Sequence, residues 1–154
     1  NEEYILELKE NNFTQIVLGT LFLFYNEFKK KNITVDVDID EEPVMLLCND
    51  IAVKRMVSNI LKNAMLHGSG NINIIYKIKS GSVEFCCRNS INTPEEIDIS
   101  QVFDRFYKAD TARNRGSTGL GLSVAKELAD RMGGLVKASI ENGEFVIRLV
   151  FKTL

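Results

Sequence analysis

The chain has 154 residues, 45% hydrophobic and 26% charged, with two prolines and a formal net charge of −2. That composition excludes a disordered or low-complexity chain, and the length suits one self-sufficient core, so residues 1–154 are expected to form a single domain. The near-neutral charge offers no global attraction to nucleic acid or anionic lipid, so anion recognition has to come from a local group of basic side chains.

A strand over residues 5–9 is expected first. Residues 14–31 follow as a helix, opened by a Thr14 cap and closed by Lys29, Lys30 and Lys31, cations suited to a helix C-terminus. Its apolar residues, among them Val17, Leu21, Phe22, Leu23 and Phe28, cover more than one face. That excess fits either burial on two sides or an interface with an adjoining domain. The most apolar part, residues 16–25, contains Gly19 and Thr20 and is shorter than the ~20 residues that span a bilayer. Ile33, Val35, Val37 and Ile39 alternate with polar residues, and residues 44–48 come after a Glu41-Glu42-Pro43 turn, so the two segments are expected to pair as a hairpin.

Asn49 and Asp50 cap a second helix that runs to His67, with Val53, Met56, Val57, Ile60 and Ala64 as its apolar stripe. Strands over 72–79 and 83–88 meet at Ser80-Gly81, a third helix over 119–132 ends at Gly133-Gly134, and strands over 136–140 and 145–151 turn around Glu141-Asn142-Gly143. Helices set between antiparallel pairs predict an α+β fold, a two-layer sandwich. Cys48, Cys86 and Cys87 lack CxxC spacing and read as reduced thiols, Cys86 and Cys87 pointing to opposite faces of their strand. His67 alone cannot build a His/Cys zinc cluster. The polar stretch 89–117 is long for a plain connection and is expected to carry a task.

Three groups of residues carry chemistry. Asn59, Asn63 and His67 recur every four residues and project from one side of the second helix. An asparagine carbonyl is a hard oxygen ligand that can complete an octahedral Mg²⁺ shell, although the same pair also suits a solvated surface. Thr118-Gly119-Leu120-Gly121 opens the third helix, where small residues and exposed N–H groups bind phosphate or else simply pack a loop against a helix. Between them Arg105, Lys108, Arg113 and Arg115, interleaved at the start with Phe103, Phe106 and Tyr107, form a basic segment. It reads either as a solvated loop or as a lid that holds charge on a phosphoryl group and excludes water. The segment is too short, and the chain too acidic, for a single-stranded nucleic acid groove.

Taken in order, Asn59-xxx-Asn63-Ala64, Phe103-Asp104-Arg105-Phe106-Tyr107 and Ser117-Thr118-Gly119-Leu120-Gly121-Leu122 resemble the N, F and G2 boxes of the histidine kinase catalytic domain, within the GHKL ATPases. The resemblance covers essentially the whole chain and implies a Bergerat fold: a mixed sheet of about five strands backed by three helices, with ATP between helices and lid. It implies that Asn63 binds Mg²⁺ with Asn59 beside it, that His67 contacts the nucleotide, and that Phe103, Arg105, Tyr107 and Lys108 serve binding or catalysis. Thr118, Gly119, Leu120, Gly121 and Leu122 are implied along the phosphates. Two positions depart from the family: Leu66 stands where a lysine is usual, and Asn89 stands where the adenine-binding aspartate of the G1 box falls, in a stretch without glycine. Asn89 can still accept from the adenine amino group and donate to a ring nitrogen.

The resemblance further implies transfer of the ATP γ-phosphoryl to a histidine on an adjoining dimerisation domain absent from this chain, with a response regulator downstream. The parent protein is expected to be a bacterial sensor anchored in the cell membrane, with this part in the cytoplasm. The competing readings are a pseudokinase interaction module and another GHKL member, such as an anti-sigma serine kinase or a gyrase- or chaperone-like ATPase.

Overall fold

The computed structural model describes residues 5–68, 70–107 and 121–153. The first strand, β1 (Lys9–Asn12), lies later than the expected 5–9 and leads directly into α1 (Phe13–Lys30). Asn12, not Thr14, caps that helix, its Oδ1 accepting from the Gln15 amide at 3.1 Å. Thr14 is buried instead. Its hydroxyl donates to the Glu42 carbonyl at 2.8 Å and, with its one proton spent there, accepts from the Tyr76 hydroxyl at 2.7 Å.

The hairpin expected over residues 33–48 does not form. β2 (Thr34–Ile39) runs parallel to β4 (Asn71–Lys79), whereas β3 (Met45–Cys48) pairs antiparallel with β1 in a separate two-stranded sheet. The intervening residues decide this. The Asp40 amide donates to the Tyr76 carbonyl at 2.9 Å and the Asp40 carboxylate accepts from the Ile78 amide at 2.8 Å, so β2 is continued onto β4. Four residues later the Val44 carbonyl accepts from the Phe13 amide at 2.8 Å, which hands the chain to the start of α1.

After α2 (Asp50–His67) and β4 come β5 (Ser82–Ser90), α3 (Gly121–Arg131), β6 (Leu135–Glu141) and β7 (Glu144–Lys152). Two short 3-10 turns, Pro94–Glu96 and Ile99–Gln101, interrupt the polar stretch after β5. The large sheet has the order β2-β4-β5-β7-β6, antiparallel everywhere except β2–β4, so the fold is α+β with a mixed, mostly antiparallel five-stranded sheet. The closing β6–β7 hairpin turns on Asn142 and Gly143 with φ of 51° and 78°, the two left-handed residues of a tight hairpin turn.

Alternate residues of the sheet, such as Ile74 and Tyr76, Phe85 and Cys87, and Ile147 and Leu149, face all three helices in one apolar cluster. Cys87 belongs to that cluster and Cys86 does not, as alternation requires. Full burial pushes the Cys87 thiol up to about 12. At Gly134 the packing is tight: a β-carbon there would meet the Phe151 ring at 2.6 Å. On α1, Val17, Leu21 and Phe28 are buried, but Phe22 and Leu23 remain 79% and 69% exposed, so the helix is covered on one side only. No helix among the described residues is long and apolar enough to cross a membrane.

Candidate functional site

Asn49 caps α2 by accepting from the Ala52 amide at 2.9 Å. Val53, Met56, Val57, Ile60, Leu61 and Ala64 then turn inward, and Asn59, Asn63 and His67 follow one another at the half-buried margin of the helix. Asn59 has a structural partner: its Nδ2 donates to the Gly121 carbonyl at 3.1 Å. α2 is thereby tied to the first residue of α3, the last glycine of the run expected to bind phosphate. Leu122, next in line, is buried in the core, so only its backbone can meet a ligand. Lys108, Thr118, Gly119 and Leu120 lie outside the described residues, as do Arg113, Arg115 and Ser117.

At its other end α2 closes on β5. Gly68 terminates the helix in an extended conformation, its amide donating to the Ala64 carbonyl at 2.9 Å. A β-carbon there would lie 2.6 Å from that carbonyl oxygen, 3.2 Å from the Asn89 β-carbon and 3.4 Å from Asn89 Nδ2. Glycine is what lets the helix end come this close to Asn89. Sequence reasoning passed over Gly68, although a glycine just past the last helical residue is a recognised stop signal.

Asn89 itself sits inside β5, which continues to Ser90 rather than stopping at 88, opposite Ile72 of β4 and Phe145 of β7. It is a polar residue on the core face, only 2% exposed. Its Nδ2 donates to the neighbouring Ser90 carbonyl at 3.5 Å, the outer limit of a hydrogen bond.

The reverse face of the same strand end is anchored. Arg88 pairs with Glu141 at 2.9 Å and Glu144 at 3.3 Å, and the Ile91 amide donates to the Gly143 carbonyl at 3.3 Å. Glu141 also accepts from Arg148 and from the Ser139 hydroxyl, each at 2.7 Å. Arg148 foremost, then Ser139 and Arg88, hold the Glu141 carboxyl down at about 2. The strand that presents Asn89 is therefore clamped to the β6–β7 turn.

Residues 103–107, the described start of the aromatic and basic segment, fold back on the core. Phe103 and Tyr107 pack partly buried against it, and the Tyr107 hydroxyl accepts from the Asp98 amide at 2.7 Å. Between them Phe106 takes a left-handed φ of 64° with its ring 68% exposed, a conformation that costs an L-residue roughly 1–2 kcal/mol. Arg105 and Phe103 line a cavity of about 580 Å³ together with Arg55 of α2 and Ser123, Lys126 and Arg131 of α3. Asn63, His67 and Asn89 do not line it. The structure thus joins Asn59 to Gly121 and Gly68 to Asn89, and sets Arg105 against α3 rather than beside Asn89.

Residues 48–153 match the family described as histidine kinase-, DNA gyrase B- and HSP90-like ATPases. The sensor histidine kinase YcbM of Bacillus subtilis (strain 168) is 24% identical over 140 residues, a match covering 88% of this chain and 45% of YcbM. YkoH, a sensor histidine kinase of the same strain, is 36% identical over 100 residues, covering 63% of this chain and 22% of YkoH. The chain therefore spans less than half the length of these relatives. Among solved structures, the mycobacterial sensor histidine kinase MprB superposes with a TM-score of 0.78 at 20% identity, over 94% of this chain and 98% of that one. A nucleotide-free catalytic domain of the histidine kinase ThkA superposes with a TM-score of 0.79 at 21% identity, over 96% and 97%.

Proposed function

The chain belongs to the family of histidine kinase-, DNA gyrase B- and HSP90-like ATPases, and from that premise we propose that it binds Mg-ATP as the catalytic part of a sensor histidine kinase. The observation that carries the reading is the junction at the end of α2, where Asn89, a buried carboxamide on the core face, lies against a helix end closed by a glycine. A buried polar group beside a side-chain-free approach suits recognition of a flat heterocycle edge.

Asn63 and His67 stand one and two turns beyond Asn59 toward that junction, so the base would lie at Asn89 and the phosphates along α2 toward Gly121. Asn63 offers a carbonyl oxygen, a hard donor that would suit a Mg²⁺ ion held with the nucleotide. The metal would supply charge neutralisation on the transferring phosphoryl group. Arg105 and, by the resemblance, Lys108 would add cations, and Thr118 to Leu122 backbone amides. Asn59 holds α2 against the start of α3, which keeps the two phosphate-facing elements in register.

The acceptor is a histidine on a dimerisation domain of the parent protein, with a response regulator receiving the phosphoryl group next. This assignment rests on the relatives, which are named sensor histidine kinases, and favours them over a serine kinase. The parent is a membrane-anchored bacterial sensor with this part in the cytoplasm. The lack of glycine over residues 89–94 favours a second reading, an interaction module that no longer holds nucleotide.

Calorimetric titration with ATP separates the two, in Mg²⁺ and in EDTA, for the native chain and Asn63→Ala. Saturable Mg-dependent binding that weakens by about tenfold or more in Asn63→Ala, equivalent to ~1.4 kcal/mol, is expected. Equal binding in both proteins overturns the metal-ligand role, and no binding in either leaves the interaction module as the answer.

A further inference from the structure

We propose that Asn89 makes this chain accept 6-oxopurine nucleotides as well as 6-aminopurine ones, an inference that rests on the reading above in which Asn89 meets the base. A carboxamide carries one acceptor oxygen and one donor nitrogen side by side. The 6-aminopurine edge offers the complement in one order, a donor amino group at C6 and an acceptor at N1. The 6-oxopurine edge offers it in the other, an acceptor oxygen at C6 and a donor N–H at N1. Turning the amide by half a revolution about its last torsion exchanges oxygen and nitrogen, and that torsion is broadly two-fold. Either edge then receives two hydrogen bonds from the same residue.

Two features of the site leave that rotation available. The Asn89 amide lies beside Gly68, where a β-carbon would stand 3.4 Å from Nδ2, so position 68 itself sets no side chain against the amide. The hydrogen bond that Nδ2 makes to its own neighbour, the Ser90 carbonyl, is 3.5 Å long and so holds the orientation weakly. Around the amide the strand is fixed by the Arg88 pairs to Glu141 and Glu144, so the choice of edge falls on the side chain and not on the backbone. A carboxylate at the same place would present acceptors only and would set oxygen against oxygen at C6 of an oxopurine.

The test uses ATP and inosine triphosphate, which differ only along this edge. Each is titrated with Mg²⁺ into the native chain and into Asn89→Asp, with binding read by calorimetry. The native chain is expected to bind both within about tenfold of each other, and Asn89→Asp to shift the ratio toward ATP by about tenfold or more. ATP binding with inosine triphosphate weaker by more than about tenfold in the native chain overturns the proposal while leaving the nucleotide site standing. A ratio unchanged in Asn89→Asp overturns it as well. Binding of neither nucleotide by the native chain overturns the nucleotide reading and this inference together. The native ratio needs no variant and decides the matter even if Asn89→Asp fails to fold.

Discussion

Asn59 and Gly121 are 62 residues apart in the chain, yet the amide of one donates to the carbonyl of the other at 3.1 Å. The bond gives Asn59 a task independent of any ligand, because it pins the first residue of α3 to the middle of α2. Asn59→Ala is expected to cost ~1 kcal/mol of stability in urea denaturation, the usual net worth of such a bond. Asn59→Asp should cost more, since a carboxylate would face the carbonyl oxygen with no proton to offer. Unchanged midpoints in both variants would remove Asn59 from the scaffold and return it wholly to the ligand.

Gly68 tests the other end of the same helix. A methyl group there meets the Ala64 carbonyl oxygen at 2.6 Å, and a backbone atom cannot swing aside as a side chain can. Gly68→Ala is therefore expected to push the helix end off β5, at ~1–3 kcal/mol in thermal or urea unfolding. Affinity for Mg-ATP should fall with it, because Asn89 is the residue the displaced end leaves behind. Retained affinity alongside lost stability would separate the junction from the ligand.

Among the glycines of the described residues, Gly134 makes the tightest approach to a side chain, with three ring atoms of Phe151 between 2.6 and 2.9 Å from a β-carbon at 134. The ring cannot retreat freely, being 4% exposed and packed at a tilt against Phe13, with ring centroids 5.1 Å apart. Gly134→Ala should cost ~1–3 kcal/mol by overpacking. In a double-mutant cycle with Phe151→Leu the two losses should sum to more than the double variant shows, a coupling read from denaturation midpoints.

Acid should expose the clamp behind Asn89. Glu141 has a folded pKa of about 2 against an ordinary 4.5, held down first by Arg148 and then by Ser139 and Arg88. A carboxyl depressed on folding stabilises the native state above its unfolded value, and that contribution disappears as pH falls through the folded one. Stability is therefore expected to drop between about pH 4.5 and about pH 2 more steeply in the native protein than in Glu141→Gln. Parallel pH curves for the two proteins would show that the network contributes no linkage.

Much of this was legible in the one-dimensional order of residues, for physical reasons. A 3.6-residue apolar period marked α2, with Asn49 as its cap, because an amphipathic helix buries a stripe whatever it packs on. Ser80-Gly81 and Asn142-Gly143 announced hairpins because turn chemistry is local. Asn59, Asn63 and His67 share a helix side by spacing alone, and Asn89 could be singled out through the resemblance, as the residue at the position of the family's aspartate. What spacing could not decide was pairing between distant segments. Alternation in residues 34–39 and 45–48 says strand but not partner, and the partner was chosen by Asp40 bonding to β4 and Val44 to the start of α1. Thr14 looked like a cap and became a buried bridge to Tyr76, because Asn12 took the cap two residues earlier. Only the assembled fold put Gly121 under Asn59 and Gly68 against Asn89, since each contact joins elements whose distance is set by how helices settle on a sheet.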